Sequence, residues 1–389
     1  MDLWDDIFYF VDMNQVPFYS LDYVERDLGP SLENSVVEAI RSNWYIRGSR
    51  CQAFEKAFAA YCGAKEAVGV GNGLDAITLM LRASILLGRL SEGDEVLVPA
   101  NTFIATVLAV RAAGLVPVLV EPDPDTGVLD VSRLAESCTA KTKAILPVHL
   151  YGRLADMPAI CEFAKSRNML VFEDGAQSHG AADGVQSDAA AYSFYPTKNL
   201  GALGDGGAVV TDDAELARVV RMLGNYGSEQ KYVNAFAGVN SRLDEVQAAV
   251  LLEKLKHLDG WNARRREIAA RYCAEIKNPQ VRLTAIPANP KSHVWHVFPV
   301  FCDRRDELQN FLKERGIETL VHYPVPPHLQ QAFAGAASRG ELRHGALPVT
   351  EELARTELSI PMGPGMSDEQ VAQVIESINA FTSSLSFPA

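Results

Sequence analysis

A doubly wound α/β fold followed by a smaller α/β unit is what this sequence predicts. Three observations carry the reading. From about Glu66 to Asp213, short apolar runs alternate with longer helical stretches. The runs are apolar throughout, which marks strands buried on both faces in a mostly parallel sheet. After Asn278 the pattern changes to short strands, prolines and helices. A chain of 389 residues also suggests two domains more readily than one.

The predicted strands, in order, are Ala67-Val-Gly-Val, Glu95-Val-Leu-Val, Val116-Pro-Val-Leu-Val, Lys143-Ala-Ile-Leu-Pro-Val, Met169-Leu-Val-Phe-Glu, Ala189-Ala-Ala-Tyr-Ser-Phe and Gly207-Ala-Val-Val-Thr. Helical periodicity fills Leu74 to Leu87, Thr106 to Ala113 and Met157 to Ser166 between them. Two amphipathic stretches follow, Arg242 to His257 and Arg264 to Ile276. The last part holds Val294 to Phe301, Arg305 to Arg315 and Asp368 to Phe381, with a Pro/Gly-rich loop from Pro324 to Gly335. We expect a large domain over 1–262 with an N-terminal arm over 1–30, and a small domain over 263–389.

Apolar residues make up 48% and charged residues 22%, as in a soluble globular enzyme. The net charge of −13 argues against a nucleic-acid surface, which needs a basic footprint. The cysteines, Cys51, Cys62, Cys138, Cys161, Cys273 and Cys302, are scattered and form no C-x-x-C pair. They read as free thiols of a reducing compartment. Met1-Asp-Leu-Trp-Asp-Asp is acidic where a signal peptide is basic, and Ile7 to Val11 is too short to span a bilayer. The expected location is the cytoplasm. No histidines or carboxylates have metal-site spacing, so no metal is expected.

Four segments carry chemistry. Val171-Phe-Glu-Asp-Gly-Ala-Gln-Ser-His-Gly180 puts Asp174 at a strand's carboxyl end, where open parallel sheets bind ligands. The same Asp also reads as a helix N-cap. Tyr192-Ser-Phe-Tyr-Pro-Thr-Lys-Asn-Leu-Gly201 carries Ser193 and Lys198 into a glycine-rich loop. Its hydroxyls and amides suit a phosphate, and a lysine there can form a Schiff base with a carbonyl cofactor. A surface lysine in a turn is the plain alternative. Taken together, Asp174 and Lys198 end successive strands and meet at one rim. Pyridoxal phosphate needs that pair, an amine for its aldehyde and an acid for its pyridine nitrogen.

Val68-Gly-Val-Gly-Asn-Gly-Leu-Asp-Ala-Ile77 is a strand, a glycine turn and a helix start, a cradle for an anion. Its glycines run G-x-G-x-G, so the dinucleotide fingerprint G-x-G-x-x-G is not met. Pro99-Ala-Asn-Thr-Phe-Ile-Ala-Thr106 offers Phe103, which either stacks on a flat ring or belongs to the core.

Gly71-Asn-Gly-Leu-Asp-Ala, Asn101-Thr-Phe-Ile-Ala-Thr, Glu173-Asp-Gly-Ala-Gln-Ser-His-Gly, Ser193-Phe-Tyr-Pro-Thr-Lys-Asn-Leu-Gly and Gly238-Val-Asn-Ser-Arg-Leu-Asp-Glu resemble, in order, the motifs of the DegT/StrS family of nucleotide-sugar aminotransferases. The resemblance starts at Val16 and runs to the C-terminus. It implies the fold-type-I architecture of pyridoxal-phosphate enzymes. It further implies that Lys198 forms the Schiff base and shuttles the proton, and that Asp174 pairs with the pyridine nitrogen. Gln177 would contact the ring hydroxyl and Phe103 stack on the ring. Ser193 and the amides of Gly73 and Leu74 would hold the phosphate. Asn225 would reach the neighbouring subunit's phosphate, which requires a homodimer. Tyr45, Tyr195, Lys231, Tyr232, Asn240, Arg242, His322 and Tyr323 are implied substrate contacts, and His179 a support for the Asp174 carboxylate. His149 is weighed with these histidines and read as structural.

Two departures narrow the branch. Leu74 stands where the family often has Thr, and Asn234 where many members have His. With Asn240-Ser-Arg-Leu-Asp244, they resemble enzymes aminating C3 of dTDP-linked 3-keto-6-deoxy sugars, for surface glycans or antibiotic sugars. Glutamate is the implied donor, in a ping-pong reaction. Amination at C4 within the same family is the alternative. The related 3-dehydratases replace the lysine by histidine, which Lys198 argues against. From another class, a nicotinamide-dependent sugar-nucleotide oxidoreductase would need an acid at the next strand end, where Pro99-Ala-Asn stands. A non-enzymatic regulator finds no helix-turn-helix or basic stretch.

Overall fold

The computed structural model describes residues 15–181 and 187–382. The start of the N-terminal arm, with Ile7 to Val11, lies outside them. All seven predicted runs become strands: β1 (Glu66–Val70), β2 (Glu95–Pro99), β3 (Val116–Val120), β4 (Thr142–Ile145), β5 (Leu170–Asp174), β6 (Ala189–Ser193) and β7 (Gly207–Thr211). Short later strands are β8 (Ser228–Gln230), β9 (Val233–Asn234), β10 (Arg282–Leu283), β11 (Phe298–Phe301), β12 (Arg343–His344) and β13 (Glu357–Ile360).

The central sheet has eight strands in the order β1-β7-β6-β5-β4-β2-β3-β12. Only β7 runs antiparallel to its neighbours; every other pairing is parallel. Burial explains the unbroken apolar runs, since every residue of β2 and β7 is buried. The helix Gly73–Leu86 lies at the heart of this core, with Leu79, Met80 and Leu81 at 0–1% exposure. Each such side chain contributes about 1.5–3 kcal/mol by leaving water.

A second apolar core gathers around the three-stranded sheet β10-β11-β13, from Ile268, Tyr272, Phe298, Leu312, Leu358 and Val374. The chain does not divide at one point between the two cores. The helix Leu258–Glu275 gives Leu258 to the large unit's packing and Tyr272 to the small one. Val16 packs in the small core and bridges Ile317. Phe333, Ala336, Leu342 and Leu347 return to the main core, and β12 adds to the edge of the large sheet. The stretch read as a loop over Pro324 to Gly335 contains two short 3-10 turns, Pro327–Leu329 and Gln331–Phe333. An N-terminal helical run, Asp22–Arg41, breaks at Gly29 (φ 27°) before Pro30. Among the described residues no helix is long and apolar enough to cross a membrane, and no group of His, Cys, Asp or Glu is placed to hold a metal.

Candidate active site

The carboxyl ends of β1, β2, β5 and β6 open on one cavity of about 590 Å³. It is lined by Gly73, Leu74, Phe103, Asp174, Gln177, Ser193, Tyr195, Lys198, His322 and Tyr323, all expected from the sequence.

The anion cradle forms where β1 turns into its helix. Asn72 caps that helix, its side chain accepting from Asp75 N at 2.8 Å. Among the described residues the amides of Gly73 and Leu74 find no partner, so two donors and the helix's positive end point at the cavity. Gly73 is required there because a Cβ would stand 2.7 Å from Ser193 Cβ. That closeness is what brings the Ser193 hydroxyl to the cradle.

Asp174 is not a helix cap. Turns, not a helix, follow it. One carboxylate oxygen accepts from Ala176 N at 3.1 Å and the other from Thr106 Oγ1 at 2.8 Å. Thr106 and its partner Thr102, 2.7 Å away, both line the cavity. Thr106 lies inside a motif used above only for Phe103; its place one helical turn beyond that residue was the available signal.

Lys198 sits in the loop after β6, its backbone held by Tyr195 O at 2.8 Å. It is half-buried and borders the open cavity. Burial pushes its amine down to about 8, against the Asp174 charge, which favours the ammonium. An amine this easily deprotonated suits nucleophilic attack on a carbonyl.

Gln177 is oriented by Tyr151 N, which donates to its oxygen at 2.6 Å. Its amide nitrogen therefore donates, here to Tyr323 Oη at 3.2 Å. Tyr323 also leans on Phe103, ring centres 5.1 Å apart. His322 and Tyr323 thus carry the small unit into the large one's cavity. Behind them, Glu357 is buried and accepts from His322 N at 2.6 Å, while His322 Nδ1 meets Ser359 Oγ at 2.9 Å. Burial pushes Glu357 up to about 8 and, with the Lys198 charge, holds His322 down to about 4.

His179 differs from expectation. It makes no hydrogen bond to Asp174 and packs its ring against Tyr192 and Phe194. Burial, then the Lys198 charge, holds it at about 3, so it is a neutral, fully buried packing residue. A histidine that does meet a buried carboxylate is His149, whose Nε2 lies 2.6 Å from Glu173. Sequence reasoning missed Glu357 and His296, which also lines the cavity.

Tyr45, Asn225, Lys231, Tyr232, Asn240 and Arg242 do not line the cavity. Arg242 donates to Asn225 Oδ1 at 2.9 Å, and Asn225 bridges Asn240. Lys231 and Tyr232 join β8 to β9, with Tyr232 88% exposed.

The donor set fits pyridoxal phosphate: an amine without a hydrogen-bond partner among the described residues, a buried carboxylate across the cavity, and two open amides beside a serine hydroxyl.

The family model of the DegT/DnrJ/EryC1/StrS aminotransferase family matches residues 27–379. A dTDP-3-amino-3,6-dideoxy-alpha-D-galactopyranose transaminase from Aneurinibacillus thermoaerophilus is 47% identical over 371 residues, 94% of this chain and 99% of its own. A dTDP-3-amino-3,4,6-trideoxy-alpha-D-glucose transaminase from Streptomyces venezuelae is 47% identical over 370 residues, 94% of this chain and 95% of its own. The crystal structure of S. venezuelae DesV, solved with an intermediate, superposes with a TM-score of 0.88 at 46% identity, covering 94% of this chain and 98% of that one.

Proposed function

The chain belongs to the DegT/DnrJ/EryC1/StrS aminotransferase family, a pyridoxal-phosphate-dependent enzyme, and from that premise we propose that it aminates C3 of a dTDP-linked 3-keto-6-deoxy sugar with glutamate as donor. The observation that carries the reading is the convergence of Lys198, Asp174, Ser193 and the open amides of Gly73 and Leu74 on one cavity. The choice of C3 and of dTDP rests on the two transaminases 47% identical to this chain.

When bound, the cofactor supplies an aldehyde that exchanges amines and a ring that takes up the electrons freed at the substrate carbon. The protein does the rest. Lys198 would provide the amine that anchors the cofactor and, when free, would hold and move the proton at its Nζ. Asp174, fixed by Thr106 and Ala176 N, would keep the pyridine nitrogen protonated. Gly73, Leu74 and Ser193 would hold the phosphate, Phe103 would lie against the ring, and Gln177 would donate toward the ring oxygen. Tyr195, His322 and Tyr323 face the space left for the sugar. Donor and acceptor occupy that space in turn, a ping-pong order.

The nicotinamide reading finds no support in the sheet. The glycine turn follows β1, which is an edge strand paired antiparallel with β7 and opens no parallel βαβ unit beside itself. We further propose a homodimer with shared sites in the cytoplasm. The residues left off the cavity are its evidence; among them Tyr45 lies between exposed Trp44 and Ile46, and Ile46 bridges Asp244, two residues beyond Arg242.

The test is direct. Purified protein should be yellow and lose the colour irreversibly with borohydride. It should then aminate a dTDP-linked 3-keto sugar with glutamate, and act weakly on UDP-linked or 4-keto counterparts. Preference for the 4-keto sugar would overturn the C3 assignment.

A further inference from the structure

Behind Lys198 a chain of hydrogen bonds crosses from the large unit to the small one and ends on the cavity. The backbone oxygen of His179 accepts from Asn262 Nδ2 at 2.8 Å. Asn262 Oδ1 accepts from Asn199 Nδ2 at 2.8 Å, and the same nitrogen donates to Val294 O at 3.1 Å. Asn199 Oδ1 lies 3.0 Å from His296 Nδ1. Backbone carbonyls only accept, so His179 O and Val294 O fix both amides one way round. Asn199 Oδ1 is then an acceptor, and the hydrogen must sit on His296 Nδ1. The ring is the Nδ1–H tautomer, and Nε2 keeps its lone pair.

His296 lines the cavity that holds Lys198, and the only hydrogen bond its ring makes among the described residues is through Nδ1, which leaves Nε2 to the cavity. Lys198 borders the same cavity. Its ammonium carries three donors, and no side chain among the described residues accepts from Nζ. A lone pair without a donor and a donor without an acceptor face one space. Burial, with the charges of Lys198 and Arg265, holds His296 well below its ordinary value, so the ring stays neutral beside the lysine.

We infer that His296 Nε2 accepts a hydrogen bond from the Lys198 ammonium while the lysine carries the proton it moves, with Asn199 as the positioning residue that sets the tautomer. The inference rests on Lys198 being the reactive amine. No bond to His296 forms or breaks: the proton stays on Lys198 until it is returned, and the imidazole remains neutral throughout. Asn199 follows Lys198 directly in the chain, so one loop sets both the amine and the acceptor.

The titratable and charged groups around this pair are Asp174 at the end of β5, His179 in the next turn, Asp205 before β7, Arg265 on the helix Leu258–Glu275, and His322 and Tyr323 in the small unit's loop. None is altered in the test. Protein stripped of cofactor is mixed with pyridoxal phosphate across a pH series. The adduct is trapped with cyanoborohydride and counted by mass. Wild-type capture should rise through about pH 8. His296→Phe removes the acceptor and weakens the ammonium, so its midpoint should fall by about one unit, with about tenfold faster capture below the midpoint. An unchanged midpoint overturns the inference. Should His296→Phe not fold, nitrogen NMR of the histidine-labelled wild-type apoprotein decides instead: an unprotonated Nε2 supports the inference, and a protonated one overturns it. A wild-type protein that captures no pyridoxal phosphate overturns the aminotransferase reading, and the nitrogen spectrum still decides the tautomer.

Discussion

In the role proposed for it, Lys198 must be a free amine to attack a carbonyl and an ammonium to return a proton. A lysine at its ordinary value is locked in the second form at neutral pH. Burial brings this one to about 8, within reach of both. The sign follows: the folded state penalises the ammonium below about pH 8, and the penalty fades as pH rises toward the unfolded lysine's value. Lys198→Ala should abolish turnover yet still bind pyridoxal phosphate without a covalent link, because the cradle and Asp174 remain. Dialysis should then remove the cofactor, which it cannot do from borohydride-treated wild type. Measurable transamination by this variant would remove Lys198 from its role. Asp174→Asn tests the opposite side of the ring. Asparagine keeps the hydrogen bonds to Thr106 and Ala176 N in reach but has no charge to hold the pyridine proton. The rate should fall by about 10²–10³ with the cofactor partly retained. A rate near wild type would reduce Asp174 to a turn residue.

The helix Gly73–Leu86 shows how an element makes a site without a catalytic side chain. Its first amides are the cradle, and their position depends on the close approach of Gly73 to the end of β6. A methyl group at Gly73 would stand 2.7 Å from Ser193 Cβ, so helix and strand must part. Gly73→Ala should leave the protein folded and weaken pyridoxal phosphate binding about tenfold or more, read by titrating apoprotein at its absorbance maximum. Unchanged affinity would mean that the phosphate lies elsewhere. Elements of this kind were legible in the sequence because the apolar runs of β1, β5 and β6 give way to Gly71, Glu173-Asp174 and Ser193. The same breaks pointed to the glycine turn, Asp174 and the Lys198 loop, which the fold brings to one cavity. β12 was not, since two residues carry no periodicity and only the sheet edge gives them a partner. His296 and Glu357 were not legible either. His296 has its meaning from Asn199, 97 residues earlier in the chain, and Glu357 from His322, 35 residues earlier. His179 was misread because adjacency to Asp174 in sequence does not survive the turn between them.

At the scale of the whole molecule, charge poses the remaining question. A chain of net charge −13 must gather positive charge locally to hold a nucleotide diphosphate. The cavity's own cation is Lys198, which the cofactor reading already engages. Lys231 and Arg242 form no ion pair among the described residues, but neither lines the cavity of its own chain. Arg242 spends one nitrogen on Asn225 and keeps Nε buried without a partner among the described residues. Tyr232 stands almost wholly in solvent, with Lys231 Nζ 5.1 Å from its ring centre. The homodimer proposed above would answer each point, with these residues completing the neighbour's site. The test is complementation between Lys198→Ala and an Asn225→Ala/Lys231→Ala double variant, each inactive alone. Hybrids carry one site with Lys198 from one chain and Asn225 and Lys231 from the other. Under free exchange roughly a quarter of wild-type activity should return, because half the dimers are hybrids and each holds one intact site of two. If mass measurement shows exchange and no activity returns, these residues serve their own chain, and the diphosphate must find its positive charge elsewhere.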